Sequence, residues 1–420
     1  MKITKQSHIL MSFFANNNCI KNIKHFKQNK TTNNILKNLF LELRNGFSYI
    51  QSVKEQLKDR FYKLKIKNIQ SISQIAKPTT FPVDGFPANI RKQIEDFSLN
   101  SLTFSFQLFN RNITIIFLIE DVNPEMHLDT YTKYVDCMLV WLYIINEYAS
   151  SNCSGKLTLY IYHTSLTKEL PSSNINILNE ENINTGFTTT CPKESEIVIY
   201  RKEEWFKVFL HETIHNFGLD FSDMNNHHCK TKILELMPVT SDVNLYESYT
   251  EFWARLMNVA FCSYLSLNDK NDVSNFFNNV TFFMNFEIMY SFFQMVKVLD
   301  FMDLTYKNLY EKGGYSEHMR NTFYKEKTNV LAYYIITLIL IYNYQDFLQW
   351  CQTNNTSLLQ FKKTLSNQES LCIFIKKKYK SKKLLDDIEC TQELFTKVKK
   401  NKSKMKYLLN NLRMTICELG

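Results

Sequence analysis

The sequence is poor in backbone punctuation, with 8 glycines and 7 prolines in 420 residues. That scarcity excludes collagen-like and Pro-rich segments and argues against long flexible linkers. No internal repeat is present. The ten cysteines contain no CxxC pair; in a chain this long they read as reduced thiols of a cytosol-like compartment rather than a disulfide framework. Long apolar runs are also missing. The longest, VLAYYIITLILIY at 330–342, has 13 residues, short of the ~20 that a membrane-spanning helix needs, so a buried core helix is predicted there. Near the start, the run at 9–15 is at the lower limit for a signal-peptide core. Asparagines follow it, with no small-residue cleavage site. The expectation is a cytoplasmic protein that is not secreted.

What is present is apolar mass: 45% hydrophobic and 14% aromatic residues, enough for a sizeable core in one to three domains. The net charge of +9 is mild for this length. Part of the excess lies in KKKYKSKK (376–383) and KVKKNKSKMK (397–406). Solvated helix faces account for such runs. A nucleic-acid or phospholipid partner is the sharper alternative, but no RNA-binding or helix-turn-helix signature accompanies them.

Periodicity divides the chain into three. Residues 1–75 carry apolar positions at three- and four-residue intervals and read as a helical, basic region. AKPTTFPVDGFP (76–87) is the clearest break. Beyond it, NIRKQIEDF reads as a short helix and SLTFSFQLFNRNITIIFLIED as two strands around a turn at Asn110-Arg111-Asn112. A long apolar helix at 132–149 follows, then strands at 156–164, 184–191 and 195–200. From Tyr246 onward the pattern is helical. The expected class is α+β: an α+β subdomain over 76–230, then a helical subdomain over 231–420.

The chemistry concentrates in FLHETIHNFGLDF (209–221). A helix is expected over RKEEWFKVFLHETIHNF, with Glu203 and Glu204 favouring its start and Gly218 ending it. At 100° per residue, His211 and His215 share one face and can reach a single zinc ion together. Glu212 lies about 100° round from His211. It cannot easily be a ligand on that face, but it can take the proton of a metal-bound water as general base. Chance gives at most about 0.02 HExxH matches in a chain of this composition; a core helix with locally bonded histidines is the bland alternative.

Catalytic zinc sites have three protein ligands. The elongated pattern HExxHxxGxxH fails here because Phe221 stands where a third histidine is needed. Asp220 and Asp223 are out of register, and His227 and His228 fall in a polar loop. The better candidate lies in LYESYTEFWARLMNVAFC. There Glu247, Glu251 and Arg255 are spaced i, i+4, i+8 beside an apolar face, and Glu247 is 32 residues beyond His215 (247 − 215). This arrangement resembles the gluzincins, whose second helix carries Glu-x-x-x-Asp: the first carboxylate binds zinc and the second orients a ligand histidine. Glu251 stands in place of the usual Asp. The alternatives are Glu251 as the ligand, or an ordinary exposed Glu251–Arg255 pair. Tyr246 and Tyr249 flank the candidate ligand and are candidate oxyanion donors. Residues 186–189, small and polar, suit an open strand edge that offers backbone groups to a peptide.

Taken together, CPKESEIVIYRKEEWFKVFLHETIHNFGLDFS and YESYTEFWARLMN resemble the zinc metallopeptidases of nucleocytoplasmic large DNA viruses, the mimivirus-like giant viruses. The resemblance spans roughly 104–347 and is specific around HETIH and YESYTEFWA. It implies a zincin-like catalytic half, one zinc ion, a peptide or protein substrate, and residence in host cytoplasm or virion. The rival reading is a structural or virion-associated protein with a vestigial or structural zinc site, whose basic tracts contact a partner.

Overall fold

The computed structural model describes residues 1–17, 19–20, 28–81, 85–401 and 405–420. Two helices open the chain, α1 (Lys5–Asn16) and α2 (Lys30–Leu57). Strand β1 (Lys63–Asn68) follows, so the expectation of a purely helical first 75 residues fails there. The reason is period: KLKIKN alternates lysines with Leu64 and Ile66, which suits an edge strand covered on one face. In the break at 76–87, Thr79 and Thr80 are tied by their backbone N–H groups to Glu196; residues 82–84 lie outside the described set.

After α3 (Ala88–Phe97) come β2 (Asn100–Leu108) and β3 (Arg111–Ile119), an antiparallel hairpin with Leu108 opposite Arg111 and Phe104 opposite Ile115. The turn is tighter than expected, since Arg111 and Asn112 already belong to β3. Helix α4 (Leu128–Asn146) then returns the chain to β4 (Lys156–His163), which pairs with β3 in parallel. Short α5 (Glu180–Ile183) and β5 (Gly186–Thr188) precede β6 (Glu194–Ile199), which is parallel to β4. The result is a mixed six-stranded sheet of order β1-β2-β3-β4-β6-β5, with β5 an antiparallel edge.

Alternation sorts its two faces. Phe104, Ile115, Phe117, Leu159, Ile161, Ile197 and Ile199 join the main core against the helices, whereas Ile116, Tyr160, Tyr162, Val198 and Tyr200 face Ile90 and Ile94 of α3. The remaining major elements are helices: α6 (Trp205–Asn216), α7 (His227–Leu236), α8 (Leu245–Leu265), α9 (Val273–Phe301) and those that follow. The apolar run at 330–342 is buried throughout, as a π-helical turn Leu331–Ile336 continuing into helix Thr337–Tyr342. Among the described residues no helix is long and apolar enough to cross a membrane. The basic tracts fall at the ends of helices Leu365–Lys378 and Lys382–Lys400, where Lys378 and Lys399 pair with Asp346 and Asp300. Residues 402–404 of the second tract lie outside the described set.

The cysteines depart from expectation. Cys19 bonds Cys390 and Cys153 bonds Cys191, with Cα atoms 5.9 and 4.5 Å apart, inside the range a disulfide accepts. Sequence spacing could not find partners 371 and 38 residues apart. The other six are free and buried.

At the end of β4, His163 is 5% exposed, and neither ring nitrogen has a hydrogen-bond partner. Phe117, Tyr131, Tyr134 and Trp205 surround it, with ring centroids 5.3–6.1 Å away. Burial pushes its pKa down to about 3. The unfolded chain, with an ordinary histidine near 6.5, therefore takes up the proton first. The native state keeps its full advantage above that value and loses it as the pH falls towards 3. Between pH 7 and 5 the wild type should lose about 2 kcal/mol more than a His163→Phe variant. Urea midpoints at the two pH values measure this, and equal losses would remove His163 as the acid-sensitive group.

Candidate metal centre and its cleft

Helix α6 is buried along its whole length. Trp141 of α4 fixes it from one side by donating its indole N–H to Thr213 (2.6 Å). Its start differs from expectation: Glu204 sits at the N-cap in a left-handed conformation (φ 59°) without capping the helix. The Glu204 carboxylate instead meets Lys168 Nζ (2.7 Å) and accepts the backbone N–H groups of Met414 and Thr415. The other end follows the sequence. Gly218 adopts φ +66° and donates its N–H to His215 O, while Leu219 N–H reaches Ile214 O. This is a Schellman closure, for which glycine is the natural residue. It turns the chain back so that Asp220, two residues on, lies beneath His215.

Helix α8 packs across α6 and brings its first turn to the histidines. The Nε2 atoms of His211 and His215 are 3.0 Å apart, and Glu247 Oε2 lies 3.2 and 3.3 Å from them. The opposite sides of both rings are already committed. His211 Nδ1 donates to Glu251 Oε2 (3.0 Å), and His215 Nδ1 donates to Asp220 Oδ2 (2.5 Å). With Nδ1 carrying the proton, each ring in its neutral form directs its Nε2 lone pair at the same point as the Glu247 oxygen.

Once both rings are neutral, three electron pairs converge on one point. Donors about 2.0–2.1 Å from a tetrahedral ion are separated by about 3.3 Å, close to the three spacings found. Charge agrees with geometry. Glu247, Glu251 and Asp220 are three carboxylates touching the histidines, and Lys207, 3.0 Å from both Glu251 oxygens, is one ammonium. With both rings neutral, as metal binding requires, three against one leaves two negative charges, which a divalent cation balances. The group His211, His215 and Glu247 can hold a metal ion.

The same charges shift the titrations. Burial opposes ionisation of Glu251, but Lys207 and His211 outweigh it and hold the carboxyl at about 2. Burial likewise opposes Glu247, yet the two histidines keep it well below the usual carboxylate range. Burial alone lowers His215; Asp220 and Glu247 more than reverse that and raise it. Glu212 moves the other way, raised chiefly by burial.

Glu212 is not part of the triangle. It lies in a cleft of about 280 Å³ between α6, β5 and the turn Leu331–Ile336. Gly186 of β5 lies against it: a Cβ there would stand 2.7 Å from Val198 O, 2.9 Å from Val208 Cγ1 and 3.1 Å from Glu212 Cγ. Only glycine permits this approach of edge strand to helix.

Other expected residues fall as follows. Glu251 is not a member of the triangle; it holds His211 from behind. It does not pair with Arg255, which turns instead to buried Glu287 (2.6 Å). The Tyr246 ring stands 6.0 Å from that of His215. Tyr249 is excluded from the cleft, because its hydroxyl is buried between Leu359 O (2.9 Å) and Asn355 Nδ2 (2.7 Å). His227 and His228 are exposed at the start of α7, away from the triangle.

Three participants were not foreseen. Asp220 is out of register with a continuing helix, but the helix ends before it, and Gly218 is the signal for that end. Lys207 is one turn before His211 on the same face. Tyr333 donates its hydroxyl to Glu247 Oε2 (2.8 Å) from 86 residues away, on a π-helical turn of the kind often found at functional sites; no local pattern marks it.

Removing the support behind His215 should be measurable. An Asp220→Ala variant is expected to bind zinc about 10–100-fold more weakly, read by competition with a chromogenic chelator. Unchanged affinity would mean that Asp220 does not orient the ring. Comparison of the chain with protein-family models, with curated proteins and with solved structures returns no match.

Proposed function

We propose that this protein is a zinc-dependent peptidase with a zincin-like catalytic half. The observation that carries the reading is the convergence of His211 Nε2, His215 Nε2 and Glu247 Oε2 at 3.0–3.3 Å, with each ring held from behind by a carboxylate. Two imidazoles and one carboxylate are a donor set of catalytic zinc, which leaves a position for water, whereas structural zinc sites are closed by four protein ligands. Zinc bound there supplies Lewis-acid polarisation and makes water acidic near neutrality.

The chain's own groups do the rest. Glu212, buried and raised in pKa, takes a proton from the attacking water and delivers it to the departing amine. Tyr333, its hydroxyl at the edge of the triangle, is placed to donate to the oxygen that gains negative charge; Tyr246 is the alternative donor. Edge strand β5 offers the substrate backbone. Tyr200 N–H bonds Thr185 O, so Phe187 is the next residue paired inward. By alternation, the N–H and C=O groups of Gly186 and Thr188 point outward to the free edge, where an extended peptide can add.

The test is metal content with activity. Wild type purified with zinc supplied is expected to hold one ion per chain and to cleave peptides, and Glu247→Ala to lose both. A wild type that retains no zinc, or one that cleaves equally well after chelation, ends this reading.

A further inference from the structure

The cleft beside Glu212 has a direction and an end. A base that returns its proton to the leaving amine stands on the side of the scissile bond where that amine departs. The residues C-terminal to the cleaved bond therefore occupy the space that Glu212 lines, together with Gly186, Asn184, Lys168, Tyr333 and Met414.

Two of its lining residues, Asn184 and Lys168, sit in segments tied to their neighbours. Asn184 Oδ1 accepts the hydroxyl of Thr328 (3.0 Å), and Leu178 O accepts Lys327 N–H (2.9 Å). Lys168 donates its N–H to Glu203 and accepts Leu412 N–H at its carbonyl, both within 2.9 Å. A chain entering past the metal runs towards these two residues.

Lys168 lines this cleft with donors that its one carboxylate contact does not fill. Lys168 is 1% exposed. Its ammonium carries three donors and meets one carboxylate oxygen, Glu204 Oε2, at 2.7 Å. The other oxygen of that carboxylate is spent on the N–H groups of Met414 and Thr415. By contrast, Lys207 meets both oxygens of Glu251 and Met414 Sδ. A buried ammonium with donors left over favours a second anion. The spacing is short. Glu204 precedes His211 by seven residues (211 − 204), about 10 Å along the helix, and an extended residue spans about 3.5 Å.

We propose that this pocket receives the last one or two residues of a peptide, with Lys168 binding the chain-terminal carboxylate, so that the enzyme is a carboxypeptidase. This rests on the peptidase reading above. In the step, water oxygen bonds to the carbonyl carbon and the C–N bond breaks. Both water protons pass by way of Glu212 to the amine, the second from the new carboxyl group, giving a shortened peptide that ends in a carboxylate and a free amino acid or dipeptide with an ammonium terminus.

The experiment uses two peptides of identical sequence, one ending in a free carboxylate and one in an amide. Binding is measured by calorimetry on the zinc-loaded Glu212→Gln protein, and products of the wild type by mass spectrometry. The acid is expected to bind about 10–100-fold more tightly than the amide and to lose one or two terminal residues. Adding Lys168→Met should abolish the preference and Lys168→Arg should keep it. The ratio is read within each variant, so impaired folding, which weakens both peptides alike, cannot imitate the result. Equal binding of acid and amide, or cleavage three or more residues from the end, overturns the proposal while the peptidase reading stands. A zinc-loaded chain that binds and cleaves neither peptide overturns both.

Discussion

Glu212→Gln is expected to keep one zinc ion per chain and to hydrolyse peptides about 10²–10⁴-fold more slowly than the wild type. The split follows from position. Glu212 stands outside the donor triangle, so the amide leaves all three ligands and both supporting carboxylates in place. Glutamine matches the shape of the acid, and its new amide lies where burial already disfavours charge. What it cannot do is accept and return a proton. Elemental analysis and initial rates on one preparation separate the two roles. Loss of zinc in this variant would place Glu212 among the ligands. Parent-like cleavage would take the base away from it.

Glu287→Ala is expected to cost about 3–5 kcal/mol of stability. Glu287 is fully buried on α9. One carboxylate oxygen takes Arg255 Nε and Nη2 at 3.1 and 2.6 Å. The other takes the N–H groups of Ile416 and Cys417, both at 3.0 Å, and the hydroxyl of Thr415. Alanine strands a guanidinium and two backbone donors in the interior, and the cost of such groups exceeds the worth of the bonds themselves. Residues 411–417 also carry Met414 into the cleft and bond Glu204, Gln294 and Lys297, so loosening them should blunt activity as well. Urea unfolding measures the loss; a change below about 1 kcal/mol would show that the Arg255–Glu287 pair is replaceable. Glu287→Gln, which keeps an acceptor for the N–H groups, should fall between alanine and wild type.

Much of the centre was legible because its rules are local. A helix places residues four apart on one face whatever surrounds it, so HETIH announced a paired imidazole and a displaced acid. The same period put Glu247 and Glu251 on one side of α8. The strands β2, β3, β4 and β6 announced themselves by alternation and β-branched or aromatic content. Where the reading failed, either a competing period or distance was responsible. The lysines of β1 look like a solvated helix face until Leu64 and Ile66 are counted at period two. Glu204 reads as a helix-start acid, but tertiary partners draw it away.

The sequence by itself determined the two helical faces that carry imidazoles and carboxylates, the glycine that ends one of them, and the sheet behind. Each follows from backbone geometry acting over a few residues. Only the tertiary structure decided that α8 crosses α6 at the turn where Glu247 meets the histidines. It also decided that Asp220 and Tyr333 reach the same centre, that Cys153 finds Cys191, and that buried Lys168 meets a single carboxylate oxygen. Those relations join residues up to hundreds of positions apart. They are set by which apolar faces bury one another, and no local period encodes that choice.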